Sequence, residues 1–393
     1  MRVLICGIDG YLGWSLAVRL SKTGYDVWGI DNFSRRGRVK AVGGTSAIPI
    51  LDLSERVDSG IVNDVYIGDL DYVDFTSNCL KHVKPECVVH LAEMPSAPWS
   101  MRGVKEALET HTGNVNGSLS LMYAMKEHCP DAHLVKLGTM GEYGTPGIPI
   151  PEGKFPEGSM WAIQHDHEPT IRNVGELSGM MFPRKAGSWY HQTKVHDTHN
   201  VEFACRNWGL RSTDIMQGVV YGTRIPEMEG KPELATRFDF DECFGTAINR
   251  FCAQSVAGIP ITPYGKGKQK RGFLPLVDSI QCLQIAIDNP PEHGDYRVWN
   301  QFEEVYTIND LASTVCTIAS SMGLETCVQR IPNPRKELED HYYTADTSTL
   351  TSMGYKPTND LEGQISGMLE DLVPHKQRIL DHVECITPKI KWN

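Results

Sequence analysis

Short apolar runs rich in valine and isoleucine recur through the first half of the chain, at residues 3–6, 26–30, 64–67, 87–91, 133–137 and 211–216. Amphipathic stretches lie between them, at 11–22, 74–82, 118–127 and 188–207. Runs without polar alternation suit strands buried on both faces, and helices between them suit right-handed crossovers, so the pattern predicts an α/β protein with a doubly wound parallel sheet. The alternation stops near Val220. Beyond it, helices predicted at 241–258, 308–322 and 360–372 and a Gly/Lys turn following 260–267 read as a smaller mixed lobe over the carboxyl edge of the sheet, where ligands of such folds sit. The expected division is residues 1–220 for a dinucleotide domain and 221–393 for a substrate lobe. Residues 149–186 fit neither lobe: rich in Pro, Gly, Met and His and without a clean period, they read as a lid.

Composition narrows the classes. A chain of 393 residues with 40% hydrophobic and 22% charged positions is an ordinary folded protein, and its net charge of −11 argues against a nucleic-acid-binding surface. Eleven cysteines without a Cys-x-x-Cys pair suggest reduced thiols rather than a disulfide framework or zinc knuckle. No run of about 20 apolar residues and no charged leader with an apolar core is seen, so a soluble, cytoplasmic protein is expected.

Three groups of residues carry candidate chemistry. The first is Gly7-x-x-Gly10-x-x-Gly13, which follows a strand and opens a helix; its glycines permit a tight turn and close approach of the backbone to a pyrophosphate. Asp31 closes the second strand 18 residues after Gly13, where a carboxylate can accept hydrogen bonds from an adenosine ribose. Asp9, Tyr11 and Leu12 in the loop and Asn32, Arg35 and Arg36 beyond Asp31 join the candidate set. The arginines could hold a 2′-phosphate, but Asp31 would repel it, so NAD is expected rather than NADP. Asp69 could take the adenine amino group, and Leu70, Leu91, Ala92, Asn114 and Gln217 complete the predicted cofactor surface.

The second group, Thr139, Met140 and Glu142, sits in a glycine-rich segment that ends the fifth strand. The third is Tyr190 and Lys194, whose (i, i+4) spacing puts phenol and ammonium on one helix face, so that the charge would lower the tyrosine pKa toward neutrality and make a hydroxyl-deprotonating base. His191 stands between them. His165, Asp166 and His167 have no zinc spacing and read as a solvated loop, so no metal is expected.

Taken in order, these residues resemble the extended short-chain dehydrogenases/reductases that act on nucleotide sugars, with a Rossmann core. The segments His90-Leu91-Ala92-Glu93, Leu134 to Pro146 with its Thr-Met-Gly-Glu-Tyr-Gly, Tyr190-His191-x-x-Lys194, Gln217 to Gly222, Phe244 to Cys252 and Pro332 to Arg335 with His341-Tyr342-Tyr343 are similar to the UDP-sulfoquinovose synthase family. That resemblance implies a homodimer that joins sulfite to UDP-glucose on a tightly held NAD. It implies Tyr190 as the base at the 4-hydroxyl with Lys194 and Thr139 beside it, and Glu142 and His191, in either order, as the acid and the base for loss of the 6-hydroxyl, with Met140 shaping the pocket. It also implies Gln217, Val220, Asn249, Arg271, Arg335 and His341 around the UDP-sugar. One departure is that Met94-Pro95 stands where the family has Gln-Arg, leaving Arg102, Arg184 or Lys185 to serve the anion. A UDP-sugar 4-epimerase or 4,6-dehydratase and a non-catalytic NAD sensor are the alternatives.

Overall fold

The computed structural model of the protein describes residues 1–164, 171–302, 304–333 and 344–391. Its strands are β1 (Arg2–Cys6), β2 (Asp26–Asp31), β3 (Val65–Ile67), β4 (Cys87–His90), β5 (His133–Thr139), β6 (Met160–Gln164), β7 (Ile171–Glu176), β8 (Arg211–Gln217), β9 (Val219–Tyr221), β10 (Lys270–Pro275), β11 (Tyr296–Gln301) and β12 (Glu304–Thr307). Seven of them make one parallel sheet in the order β11-β8-β5-β4-β1-β2-β3. The order reverses between β1 and β4, the switch point at which ligands of doubly wound sheets bind.

Both faces of this sheet are covered, which is why its strands read as apolar runs. Val3 and Ile5 of β1 enter one core with Leu16 and Leu20 of the helix Tyr11–Lys22 and Ile280 and Leu283 of the helix Leu276–Asp288. Leu4 and Cys6 enter the other, with Leu121 and Met125 of the helix Gly117–His128 and Val201 and Cys205 of the helix Trp189–Trp208. A third core belongs to the later half of the chain, where Phe251, Leu311 and Leu369 bring together the helices Ala247–Ala257, Ile308–Ser321 and Leu361–Leu372 beside a small sheet ordered β12-β10-β9.

Three expectations are corrected. The boundary at 220 is crossed: β11 and the helix Leu276–Asp288 come from beyond it yet complete the main sheet and one of its two cores. The helix expected at 241–258 begins only at Ala247, because the Asp241 carboxylate accepts the backbone N–H groups of Cys243 and Phe244 and holds that stretch as a turn, after which Thr246 caps the helix. The segment 149–186, read as irregular, contains the antiparallel pair β6–β7. Residues 165–170, with the His165, Asp166 and His167 cluster, and residues 334–343, with Arg335 and His341, lie outside the described residues.

Candidate active site

A cavity of about 460 Å³ runs along the carboxyl ends of β1, β2, β4, β5 and β8. At one end is the glycine turn. Gly7 has φ +88°, and a Cβ on Gly13 would lie 2.1 Å from the Gly7 carbonyl oxygen, so the turn draws the helix Tyr11–Lys22 against the strand as only glycine allows. The N-cap of that helix, Gly10, supplies no side-chain oxygen to the first turn, which leaves backbone N–H groups and the positive end of the helix dipole for an anion. Asp31, Asn32, Asp69, Leu70, Leu91 and Ala92 line the same wall. This cradle fits a dinucleotide.

The charged residues around the turn divide. Asp9 is buried, and its carboxylate holds Arg36 through two hydrogen bonds of 2.7 Å and Arg56 through another of 2.7 Å. Arg36 is thereby tied to Asp9 and to the Leu51 carbonyl, and it is not among the residues that line the cavity, contrary to the expectation that it would face the cofactor. Arg35 does line it, paired with Asp239 at 2.8 Å and stacked over Phe244. Asp31 accepts the N–H groups of Asp9 and Phe33, and burial together with the Asp9 charge pushes it up to about 6. Arg56 was not foreseen; an arginine in a short amphipathic stretch reads as solvated, and its near-complete burial depends on the distant partner Asp9.

At the other end Thr139, Tyr190, His191, Gln217, Val220 and Asn249 converge. The helix Trp189–Trp208 aims its part of this wall. Ser188 caps it, accepting the His191 N–H at 3.2 Å and meeting His191 Nδ1 at 3.0 Å, and Gly209 with φ +74° ends it. Its buried stripe is polar near the cavity, at Thr193, Lys194, Asp197 and Thr198, and apolar farther on, at Val201, Ala204 and Cys205. Thr139 caps the turn that follows β5 by accepting the Gly141 N–H at 3.1 Å, and a Cβ on Gly141 would lie 2.3 Å from His191 Nε2, so the glycine admits the imidazole.

The expected effect of Lys194 on Tyr190 is not found. Burial, then the Glu142 charge, drives the phenol well above its ordinary value, opposed by a hydrogen bond with Thr139. The Lys194 ammonium is engaged elsewhere, by the Glu93 carboxylate and by the Leu137 carbonyl at 2.6 Å, and burial lowers it to about 8. Glu93 is a site residue that the spacing arguments passed over, although a carboxylate following the buried strand β4 was the available signal.

Two further placements differ from expectation. Met140 packs into the core with Tyr143 and Phe182 rather than lining the cavity. Glu142 is fully buried behind the wall: its Oε2 accepts from Arg184 Nε at 3.0 Å and from Thr198 Oγ1 at 3.0 Å, while its Oε1 lies 3.3 Å from where a Cβ on Gly138, a lining residue, would sit. Burial pushes Glu142 up to about 7, so near neutrality it carries a proton for much of the time. Asn114 reaches the cavity, but its amide is committed to Met94 and Thr193, which pins the loop after β4. Gln217 bonds to Ser279 and Gln301. Arg271 donates to the Lys270 carbonyl and, like Arg102, Arg184 and Lys185, stands outside the lining among the described residues.

A glycine turn under a helix terminus, an acidic strand end and a tyrosine-lysine helix on one cavity define a dinucleotide-dependent enzyme of the doubly wound class. The chain belongs to the NAD dependent epimerase/dehydratase family, whose sequence profile matches residues 3–300. Within it the chain groups with the UDP-sulfoquinovose synthases: it is 43% identical over 397 positions to the enzyme of that name from Sulfolobus acidocaldarius, across 100% of this chain and 98% of that protein. It is 41% identical over 396 positions to the chloroplastic UDP-sulfoquinovose synthase of Spinacia oleracea, across 100% of this chain and 79% of that one. Among solved structures, the UDP-glucose 4-epimerase of Thermotoga maritima with UDP-glucose superposes with a TM-score of 0.69 at 19% identity, over 96% of this chain and 100% of that one, a likeness of fold.

Proposed function

We propose that this protein makes UDP-sulfoquinovose from UDP-glucose and sulfite. The observation that carries the reading is the convergence of Thr139, Tyr190 and His191 on one cavity wall with the buried Glu142 directly behind it. NAD, when bound in the glycine cradle, supplies reversible hydride acceptance at the sugar C4. Tyr190 takes the proton of the 4-hydroxyl, which Thr139 orients, while Lys194 on the same helix is held by Glu93 and the Leu137 carbonyl. The 4-ketone so formed acidifies the C5 hydrogen. His191 removes that proton, and the 6-hydroxyl leaves with the C6–O electron pair and the Glu142 proton as water, giving a C5–C6 double bond. The sulfite sulfur lone pair then forms the bond to C6 as the double-bond pair moves to C5 and takes the proton from His191; the hydride removed at C4 would be given back there as Tyr190 returns its proton to the 4-oxygen, and Glu142 regains its proton from solvent. We assign Val220, Asn249 and Gln217, which line the cavity, to the sugar and diphosphate.

The reading extends to assembly. The exposed side chains Val104 and Leu108 of the helix Val104–His111, Tyr123 of Gly117–His128 and Phe203 of Trp189–Trp208 support a homodimer joined through helices. The cysteines are free thiols, which supports the cytoplasmic location we assign. Among the described residues no helix is long and apolar enough to cross a membrane.

The test is mass spectrometry of the product from UDP-glucose with and without ³⁴S-labelled sulfite. Labelled UDP-sulfoquinovose is expected only with sulfite. Accumulation of UDP-galactose or of a 4-keto-6-deoxy sugar regardless of sulfite would overturn the proposal in favour of an epimerase or a dehydratase.

A further inference from the structure

Behind the cavity lies a cluster of charges that the chemistry above does not use. Lys136 on β5 and Asp214 on β8 are register partners in the sheet, both fully buried, with the ammonium 3.3 Å from the carboxylate. Thr198 joins this pair to the active site: its Oγ1 is 2.9 Å from Asp214 Oδ2, 3.0 Å from Glu142 Oε2 and 3.4 Å from Lys136 Nζ. Tyr296 on β11 donates to Asp214 Oδ2 at 2.7 Å.

Two counts decide how this cluster is protonated. The first is charge. Lys136, Arg184 and Lys194 are three buried cations, and they share the space with four buried carboxylates, Glu93, Glu142, Asp197 and Asp214. An uncompensated charge in such surroundings is costly, so the cluster favours one additional proton. The second is donors. Asp214 is served by Lys136 and Tyr296, which frees the Thr198 hydroxyl hydrogen for Glu142 Oε2, where Arg184 already donates. Glu142 Oε1 has no hydrogen-bond partner among the described residues. With both donors on Oε2, the proton belongs on Oε1, which lies on the buried side of Gly138, near Asp214, with the Gly138 backbone between it and the cavity.

We infer that Thr198 is a positioning residue that couples Glu142 to the buried Lys136–Asp214 pair: by donating to Oε2 it directs the Glu142 proton to Oε1 and, with Asp214 opposing it, sets how readily that proton is released toward the departing 6-hydroxyl. This rests on the reading of Glu142 as the acid. The groups that set the balance come from every element around it. Lys136 and Arg184 favour the carboxylate, and Asp214 on the neighbouring strand opposes it. Asp197, Tyr143, Tyr190 and Tyr296 complete the titratable surroundings.

The two sides of the network predict shifts of opposite sign. Losing the Thr198 hydrogen bond destabilises the Glu142 carboxylate, so Thr198→Val should move the alkaline limit of water elimination upward by about one pH unit, and Thr198→Ser should restore it. Removing the Asp214 charge stabilises the carboxylate, so Asp214→Asn should move the same limit downward. The measurement is ¹⁸O exchange from water into the sugar 6-position of UDP-glucose, without sulfite, by NAD-loaded enzyme across pH. Glu142→Gln serves as the reference: loss of exchange with retained oxidation at C4 supports the acid role, and full exchange overturns that reading itself. If Glu142→Gln abolishes exchange while Thr198→Val and Asp214→Asn both leave the limit in place, or move it in one direction, the coupling is wrong and the acid assignment survives.

Discussion

At Tyr190 the folded protein works against the chemistry asked of it. A phenol enclosed by protein and facing the Glu142 charge resists ionisation, and the ammonium four residues away is held by Glu93 and a carbonyl. The fraction of phenolate therefore rises with pH throughout the range in which the protein is folded, and oxidation at C4 should accelerate with pH. Tyr190→Phe keeps the ring's volume and removes the acidic proton. It is expected to lower the rate of sugar oxidation by about 10²–10⁴ while the variant still copurifies with NAD. A loss of less than tenfold, read from formation of reduced nicotinamide in a single turnover, would remove Tyr190 from the base role. Lys194→Met should depress the same step, because it leaves the buried Glu93 carboxylate, on the same cavity as the phenol, without its cation.

Among the elements, the helix Trp189–Trp208 depends on its cap. Ser188 both satisfies the first turn and touches the His191 ring, so Ser188→Ala should cost about 1 kcal/mol in thermal or denaturant unfolding. It should also reduce turnover beyond what stability explains, because the imidazole loses its anchor. An unchanged rate at a temperature where the variant is fully folded would count against His191 as the base. The sequence announced this helix and the strands β1, β2, β4, β5 and β8, because parallel strands covered on both faces have little choice but apolar residues. It hid β11, whose Arg297, Asn300 and Gln301 look like loop residues; Asn300 is buried only because it donates to the carbonyls of Pro151 and Asp346, and Gln301 because it meets Gln217 and the Asp278 carbonyl. Tyr190 was picked out by its spacing to Lys194, Thr139 by its place at the end of the fifth strand and His191 by the resemblance, and all three line the cavity. Glu93, Thr198, Lys136 and Asp214 were not legible, since each acts through a partner distant in sequence, although a lysine in Val135-Lys136-Leu137 and an aspartate in Thr213-Asp214-Ile215 are charges where a buried strand should have none.

For the whole molecule, the same misread strand fixes where the chain can be divided. Had the sheet ended at Val220, residues 1–220 would form an independent dinucleotide domain. Instead β11 pairs with β8 from Tyr296↔Ser212 to Gln301↔Gln217 and closes the sheet. Leu276, Ile280, Leu283, Ile287 and Trp299, all from beyond residue 220, fill the core on one face. At about 1.5–3 kcal/mol for each buried side chain, these five alone match the roughly 5–15 kcal/mol by which a native protein is stable. The glycine turn leans on the later half as well: Trp14 donates to the Leu234 carbonyl at 2.9 Å, Thr236 to the Tyr11 carbonyl at 2.8 Å and Arg56 to the Ala235 carbonyl at 3.2 Å. A fragment of residues 1–220 is therefore expected to aggregate or to lack a cooperative thermal transition, and to hold no NAD, whereas the full chain unfolds cooperatively and does so at higher temperature when NAD is added. Calorimetry of both proteins with and without NAD decides it. A monodisperse fragment with its own sharp, NAD-dependent transition would mean that the cradle is built by the first half alone and that β11 adds stability without being required for the fold.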